Sequence, residues 1–269
     1  MPLAVIPLGP VIGLALGALG GGGSILAVPA PVHVPGQDPV TATTSSLLIV
    51  GITSLLSLPA HHRAQRVRFG QGVAFGLLGT AGSFAGSAAS RAVPGEVLMT
   101  VFAALMVVVA VLMLRRSRPE SRGSADLGPH EPILTVRPLT CACPRLIKLV
   151  VAATLVGLLT GFLGVGGGFV LVPALVLVLG FTMPAAVGTS LLVIAINSAT
   201  ALAARAQQGI GDLDWPLIVG FAAVAVVGSL LGSRVADRLP AARLSQAFAV
   251  LVLVIAAFTA TQSLPALPA

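Results

Sequence analysis

The sequence predicts an all-α, polytopic transmembrane protein of two homologous halves, with about 8 membrane segments and helices broken by glycine. Three observations predict it. First, 56% of the 269 residues are hydrophobic and only 9% are charged, with a mean hydropathy of +1.04. A soluble domain carries about 25% charged residues and needs them to coat its surface. Second, the apolar runs are long: Val101–Leu114 and Ala247–Ala260 hold no charge, and Leu146–Leu163 holds Lys148 alone. About 20 such residues span the hydrocarbon core. Third, the chain repeats itself.

Shifted by 144 residues, Ile12–Pro29 (IGLALGALGGGGSILAVP) falls on Val156–Pro173 (VGLLTGFLGVGGGFVLVP), and nine of the 18 positions are identical. The same shift lays Ala42–Ser54 (ATTSSLLIVGITS) on Ala186–Ser198 (AVGTSLLVIAINS) with six of 13 matching. Two residues of extra offset then align Gly82–Ser87 with Gly228–Ser233 and Pro94 with Pro240. Shared apolar composition scatters Leu and Val matches; it does not hold glycine, proline and serine in register.

Each half begins with an apolar helix, Leu3–Leu19 or Leu146–Leu163, with no positive stretch before the first to mark a cleaved signal. A glycine cluster and a short apolar segment follow, Ile25–Val34 or Phe169–Leu179. Three helices complete the half, near 40–60, 70–90 and 95–114, then near 184–204, 215–236 and 241–262. Residues 1–114 and 146–269 are thus two membrane repeats. Residues 115–145, rich in Arg, Pro and Ser, are the linker between them.

The net charge is +7, and the basic residues sit between apolar runs, which reads as membrane orientation and not as nucleic-acid binding. The glycine-interrupted segment either crosses once, giving four crossings per half, or folds back, giving an odd number. Four crossings divide the basic residues 11 to 4 between the two sides; an odd number divides them 13 to 2. The sharper asymmetry favours the odd count, in which the halves are inverted. Either way the Arg63–Arg68 loop and the 115–145 linker are expected in the cytoplasm. Cys141 and Cys143 in that linker read as free thiols.

The polar residues inside the apolar regions define the candidate site. Two matched glycine clusters, Gly20–Gly23 and Gly164–Gly168, break a helix where freed backbone groups must line a cavity or be buried. The helix restarting beyond each offers unpaired N–H groups and a positive dipole end, which suits an anion. The expected binding residues are Gly22, Gly23 and Ser24 with Gly166, Gly167 and Gly168, joined by the hydroxyls of Ser45, Ser46, Thr189 and Ser190 and by Asn197. No Asp, Glu, Lys or Arg falls well inside an apolar run, so an anion fits better than a cation or a proton relay. His33, His61 and His62 lie near helix ends and read as interfacial. Nothing resembles an enzyme site: the run Gly164–Gly168 lacks the Lys-Ser/Thr of a phosphate loop.

At Gly161-Phe-Leu-Gly-Val-Gly-Gly-Gly-Phe-Val-Leu-Val-Pro173, Ala186-Val-Gly-Thr-Ser-Leu-Leu-Val-Ile-Ala-Ile-Asn-Ser198 and Asp212-Leu-Asp-Trp215 the chain resembles the sulfite exporter TauE/SafE family of membrane permeases. The first half departs from that pattern, with Gly20–Ser24 reading GGGGS and Thr44-Ser-Ser46 replacing Gly-Thr-Ser. The resemblance implies export of sulfite or a small organosulfonate across the inner membrane by a multi-pass permease with no cofactor. The partners it implies are a small anion and the lipid bilayer, with no nucleic acid; a homo-oligomer is left open. The rival reading is an integral membrane assembly factor that docks a partner through the linker. Sulfite uptake into vesicles separates the two.

Overall fold

A computed structural model describes residues 8–23, 39–90, 93, 95–116, 143–163, 168–206 and 213–263. Apart from short connections, the described residues are helical, and they contain no strand. The elements are α1 (Leu8–Leu19), a 3-10 turn (Gly20–Gly23), α2 (Pro39–Arg63), α3 (Phe69–Ser90), α4 (Gly95–Arg116), α5 (Cys143–Leu163), α6 (Gly168–Leu177), α7 (Met183–Ala206), α8 (Trp215–Arg238) and α9 (Ala241–Ser263). The expected segment Ile25–Val34 and most of the 115–145 linker lie outside the described residues.

Prolines set several helix starts: Pro39, Pro184 and Pro216 stand at the first or second helical residue and Pro240 just before one, where a missing N–H costs nothing. At the other end of α1, Gly20 takes φ +63°, the left-handed conformation that stops a helix and that a side chain resists. Four helices are long and apolar enough to cross a membrane: Thr44–Arg63, Phe69–Ser90, Met183–Arg205 and Ile218–Arg238. Shorter apolar stretches occupy Thr100–Arg115, Leu146–Phe162, Gly168–Leu177 and Ala241–Ala257. Leu77, Phe84, Leu155, Val219, Val227 and Val254 turn outward, as lipid-facing side chains do. By contrast α6 is buried on every side, so it is an internal helix and has no lipid face.

The two halves interlock through close small-residue packing. A Cβ placed on Gly13 or Gly17 of α1 would come within 2.8 Å of the Ala225 Cα and 2.6 Å of the Ser229 Cα on α8. The equivalents on α5, Gly157 and Gly161, would come within 2.7 Å of the Gly79 Cα and 2.7 Å of the Ser83 Cα on α3. Returning the favour, Gly232 of α8 abuts Leu14 and Ala18, and Gly86 of α3 abuts Leu158 and Phe162. Each contact in one set maps onto the other by the offsets of 144 and 146 residues seen in the sequence. The first helix of each half therefore packs on the third long helix of the other half, and the duplication is present in three dimensions.

Helix directions follow from these pairings. Residue numbers rise together across α1 and α8 and across α5 and α3, so both pairs are parallel. The α3/α7 pair is parallel too, with Gly72 beside Leu192 and Gly76 beside Ile196. Between α2 and α7, which are equivalent helices, Thr44 meets Arg205 and Gly51 meets Ser198, so this pair is antiparallel. Equivalent helices that run antiparallel are related by a two-fold axis perpendicular to them. The halves are inverted in the membrane. A direct consequence is visible at one end, where Arg66 of the α2–α3 loop forms an ion pair with Asp237 at the end of α8. The odd crossing count puts these two loops on one side; four crossings per half would put them on opposite sides.

Candidate functional site

The pseudo-two-fold axis passes between α2 and α7 where Ile52–Thr53 face Ile196–Asn197. The helices carry polar side chains here. Thr53, Ser54 and Ser198 are buried, and Thr53 Oγ1 donates to the Ile49 carbonyl at 2.7 Å. Asn197 Oδ1 lies 3.2 Å from Thr80 Oγ1 on α3. Asn197 thus has a structural partner, and it marks the centre of the molecule.

About 10 Å from that axis, toward the start of α7, the two glycine breaks meet. The helix α5 and the helix α7 are both parallel to α3, so the chain must return between them, and α6 lies in this return. At ten residues α6 is about 15 Å long, half the hydrocarbon core. Its first residue, Gly168, lies backbone to backbone against Gly21 in the 3-10 turn after α1. Gly21 N–H donates to Ser190 Oγ at 3.2 Å, and Ser190 Oγ in turn donates to the Val187 carbonyl at 2.8 Å. The glycine turn of the first half and the N-terminus of the half-length helix of the second are thereby gathered around a hydroxyl that is fully buried. The first N–H groups of α6 have no partner inside their own helix and carry the positive end of its dipole.

The structure brings together part of the expected site. Gly22 and Gly23 belong to the 3-10 turn, Gly168 opens α6, and Ser190 joins them. Thr189 faces the other way: its Oγ1 accepts from the Arg68 N–H at 3.2 Å and holds the α2–α3 loop. Ser24, Gly166 and Gly167 lie outside the described residues. Ser45 and Ser46 are buried in α2, beside Thr44. The antiparallel α2/α7 register separates them from Thr189 and Ser190 by about three and a half turns, roughly 20 Å. One small anion cannot touch both hydroxyl pairs, which corrects the expectation that all four hold it together. Inversion is the physical reason: equivalent residues on α2 and α7 lie on opposite sides of the midplane.

Three polar features escaped the sequence reading. Arg205, counted there as a loop charge, is in the last turn of α7 and its Nη1 donates to Thr44 Oγ1 at 2.8 Å. His61, expected at an interface, is 1% exposed, and neither ring nitrogen has a side-chain hydrogen-bond partner. Ser57 Oγ, one turn earlier on α2, lies 2.7 Å from Ser229 Oγ on α8 and 2.6 Å from the Thr53 carbonyl. His62 is exposed and stacks edge-on to Phe69, and His33 lies outside the described residues. The 144-residue shift places His61 opposite Arg205, which was the available signal.

Comparison with known proteins agrees in kind. A family model described as sulfite exporter TauE/SafE matches residues 5–259. A "Probable membrane transporter protein" of Xylella fastidiosa strain Temecula1 is 32% identical over 264 residues, covering 97% of this chain and 95% of its own. Its namesake in strain 9a5c is 32% identical over 265 residues, with the same coverage. "Probable membrane transporter protein YunE" of Bacillus subtilis is 25% identical over 244 residues, covering 86% of this chain and 87% of its own. No solved structure matches.

Proposed function

The chain belongs to the sulfite exporter TauE/SafE family, and from that premise we propose that this multi-pass membrane transporter exports a small anion, sulfite or a small organosulfonate, across the inner membrane. The observation that carries the reading is the meeting of the two glycine breaks at Gly21, Gly168 and Ser190, where α6 begins. A helix N-terminus inside a membrane protein attracts negative charge and supplies N–H donors without a permanent cation. Such a site binds weakly enough to let the ion go. Among the described residues the carboxylates Glu96, Asp214 and Asp237 stand at helix ends, so none repels an anion at the centre. The pair of hydroxyls Ser45 and Ser46 on the opposite side of the midplane gives the ion a second, equivalent station, as alternating access about an inverted repeat requires. The linker 115–145 lies in the cytoplasm on this reading.

The test is uptake of ³⁵S-sulfite into inverted vesicles from cells that express the chain. Uptake above that of vector-only vesicles, competed by small sulfonates, is the expected result. Vesicles that match the vector control for sulfite and for a panel of sulfonates and other oxyanions would overturn the transport reading.

A further inference from the structure

His61 is a buried titratable group that meets no hydrogen-bonding side chain, only the Gly17 backbone of α1, and its position is explained by the duplication. Its equivalent in the second half is Arg205. The α2/α7 register that carries Arg205 to Thr44 sets His61 level with Gly188, the equivalent of Thr44. Glycine has no hydroxyl to answer the imidazole, and the space beside Gly188 is taken by the Arg66 backbone. Each half thus keeps a basic residue at one place, but the first half has exchanged a permanent cation for a titratable one and removed its partner. Neither Nδ1 nor Nε2 of His61 has a side-chain partner although the residue is 1% exposed, and only the Gly17 backbone approaches the ring. A second orphan on the same face of α2, the Ser54 Oγ, lies two turns deeper, with the Ser57–Ser229 pair between them. Unmet buried polar groups are costly, and a ligand or water that satisfies them for part of the cycle offsets that cost.

The depth matters as much as the isolation. His61 and the Gly21–Gly168–Ser190 cluster lie on the same side of the pseudo-two-fold axis. The groups facing His61 from the elements packed on it are the Gly17 backbone of α1, one turn before the glycine break, Asp237 of α8 and Arg66 of the α2–α3 loop. Arg66 and Asp237 are already paired with each other at the solvent-exposed end. On the other side, Arg205 is fixed next to Ser45 and Ser46 at Thr44.

We propose that His61 is a proton site linked to the anion: a proton on its ring supplies, on the side of the axis that holds Gly21 and Ser190, the positive charge that Arg205 supplies permanently on the side that holds Ser45 and Ser46. The inference rests on the transport reading above and adds its coupling. The anion then has one station of constant charge and one whose charge is set by pH. Binding at the second takes up one proton and release returns it to water past Arg66 and Asp237. Linkage makes the effect reciprocal: the proton strengthens anion binding by the factor by which the anion strengthens proton binding.

The experiment is calorimetric titration of the purified full chain in detergent with sodium methanesulfonate, the anion of a strong acid, and in parallel with sulfite. Buffers of different ionisation enthalpy report protons taken up per anion bound. The wild type is expected to take up a fraction of a proton that approaches one as the pH rises, with affinity falling by up to about tenfold per pH unit. His61→Gln should show no uptake and a flat pH profile with weakened binding. His61→Arg, which installs the residue of the other half, should restore binding with a flat profile. Binding by the wild type without proton uptake, or undiminished uptake in His61→Gln, overturns the proposal. If one variant misfolds by thermal melting, the other and the wild-type stoichiometry still decide. Failure of the wild type to bind either anion overturns the transport reading instead.

Discussion

Replacing Gly157 or Gly161 by alanine should wedge α5 away from α3, and replacing Gly13 or Gly17 should do the same to α1 and α8. The added Cβ in Gly157→Ala would stand 2.7 Å from the Gly79 Cα, against 3.4 Å for the near edge of ordinary contact, a shortfall of 0.7 Å. The obstacle is helix backbone, which cannot swing aside as a side chain would, and the Gly79 carbonyl oxygen is nearer still, so the helices must separate by at least that much. A gap of 0.5–1 Å already forfeits a quarter to a half of the dispersion energy across the affected contacts. Overpacking of this kind costs up to about 3 kcal/mol. Alanine returns about 1 kcal/mol through its better helix propensity, which leaves a loss of roughly 2 kcal/mol. At roughly 2–4 °C per kcal/mol for a chain of this size, the melting temperature should fall by about 4–8 °C. The assay is thermal melting of the purified protein, followed by size-exclusion retention. Gly70→Ala and Gly220→Ala are the controls, since a Cβ at either meets nothing within 4 Å; they should melt at the wild-type temperature or slightly above. Matching losses in the two halves with unchanged controls are expected. Wild-type melting of all four variants would refute the close approach from which the interlocked architecture is argued.

Two further outcomes are expected. A membrane-impermeant maleimide added to intact cells should leave Cys141 and Cys143 unlabelled, and strong labelling would reverse the assigned orientation. Substituting Ser190→Ala together with Thr189→Val should lower anion affinity by about tenfold or more with protein level unchanged, since losing a hydrogen bond to a charged group costs roughly 1.5–3 kcal/mol. Transport at the wild-type rate in that variant would assign both hydroxyls to holding Gly21 and Arg68 alone.

The sequence made the architecture readable because duplication leaves marks in residue types that composition does not explain. The glycines at 13, 17, 157 and 161 recur in register, and the structure shows why: each is a point where one backbone lies against another. Inversion was readable only as a preference, through the sidedness of Arg234, Arg238 and Arg243. The structure settles it with a contact between Arg66 and Asp237, 171 positions apart, that no local pattern encodes. The site was half readable. Gly168 and Ser190 are joined because both follow the glycine break, which the repeat displays. The separation of Ser46 from Ser190 was hidden, because it depends on the direction of α2 relative to α7. His61 was missed for a related reason. A histidine near a helix end looks interfacial until α1, α8 and the α2–α3 loop are known to close over it.

The exchange of first helices between halves also constrains how the protein is made. α1 is finished when Leu19 leaves the ribosome, yet its partner α8 begins at Trp215, about 200 residues later. At roughly 5–20 residues per second, that is about 10–40 s during which the glycine face of α1 has no mate. For α5 there is no such wait, because α3 is already in the membrane when Cys143 emerges. The two halves, alike in the finished molecule, therefore have unequal histories: the second closes onto what is already there, and the first remains open until the chain is nearly complete. Truncation anywhere before α8 leaves α1 unpaired, so a membrane protease that surveys exposed glycine-rich helices would meet incomplete chains with a standing target and finished chains with none.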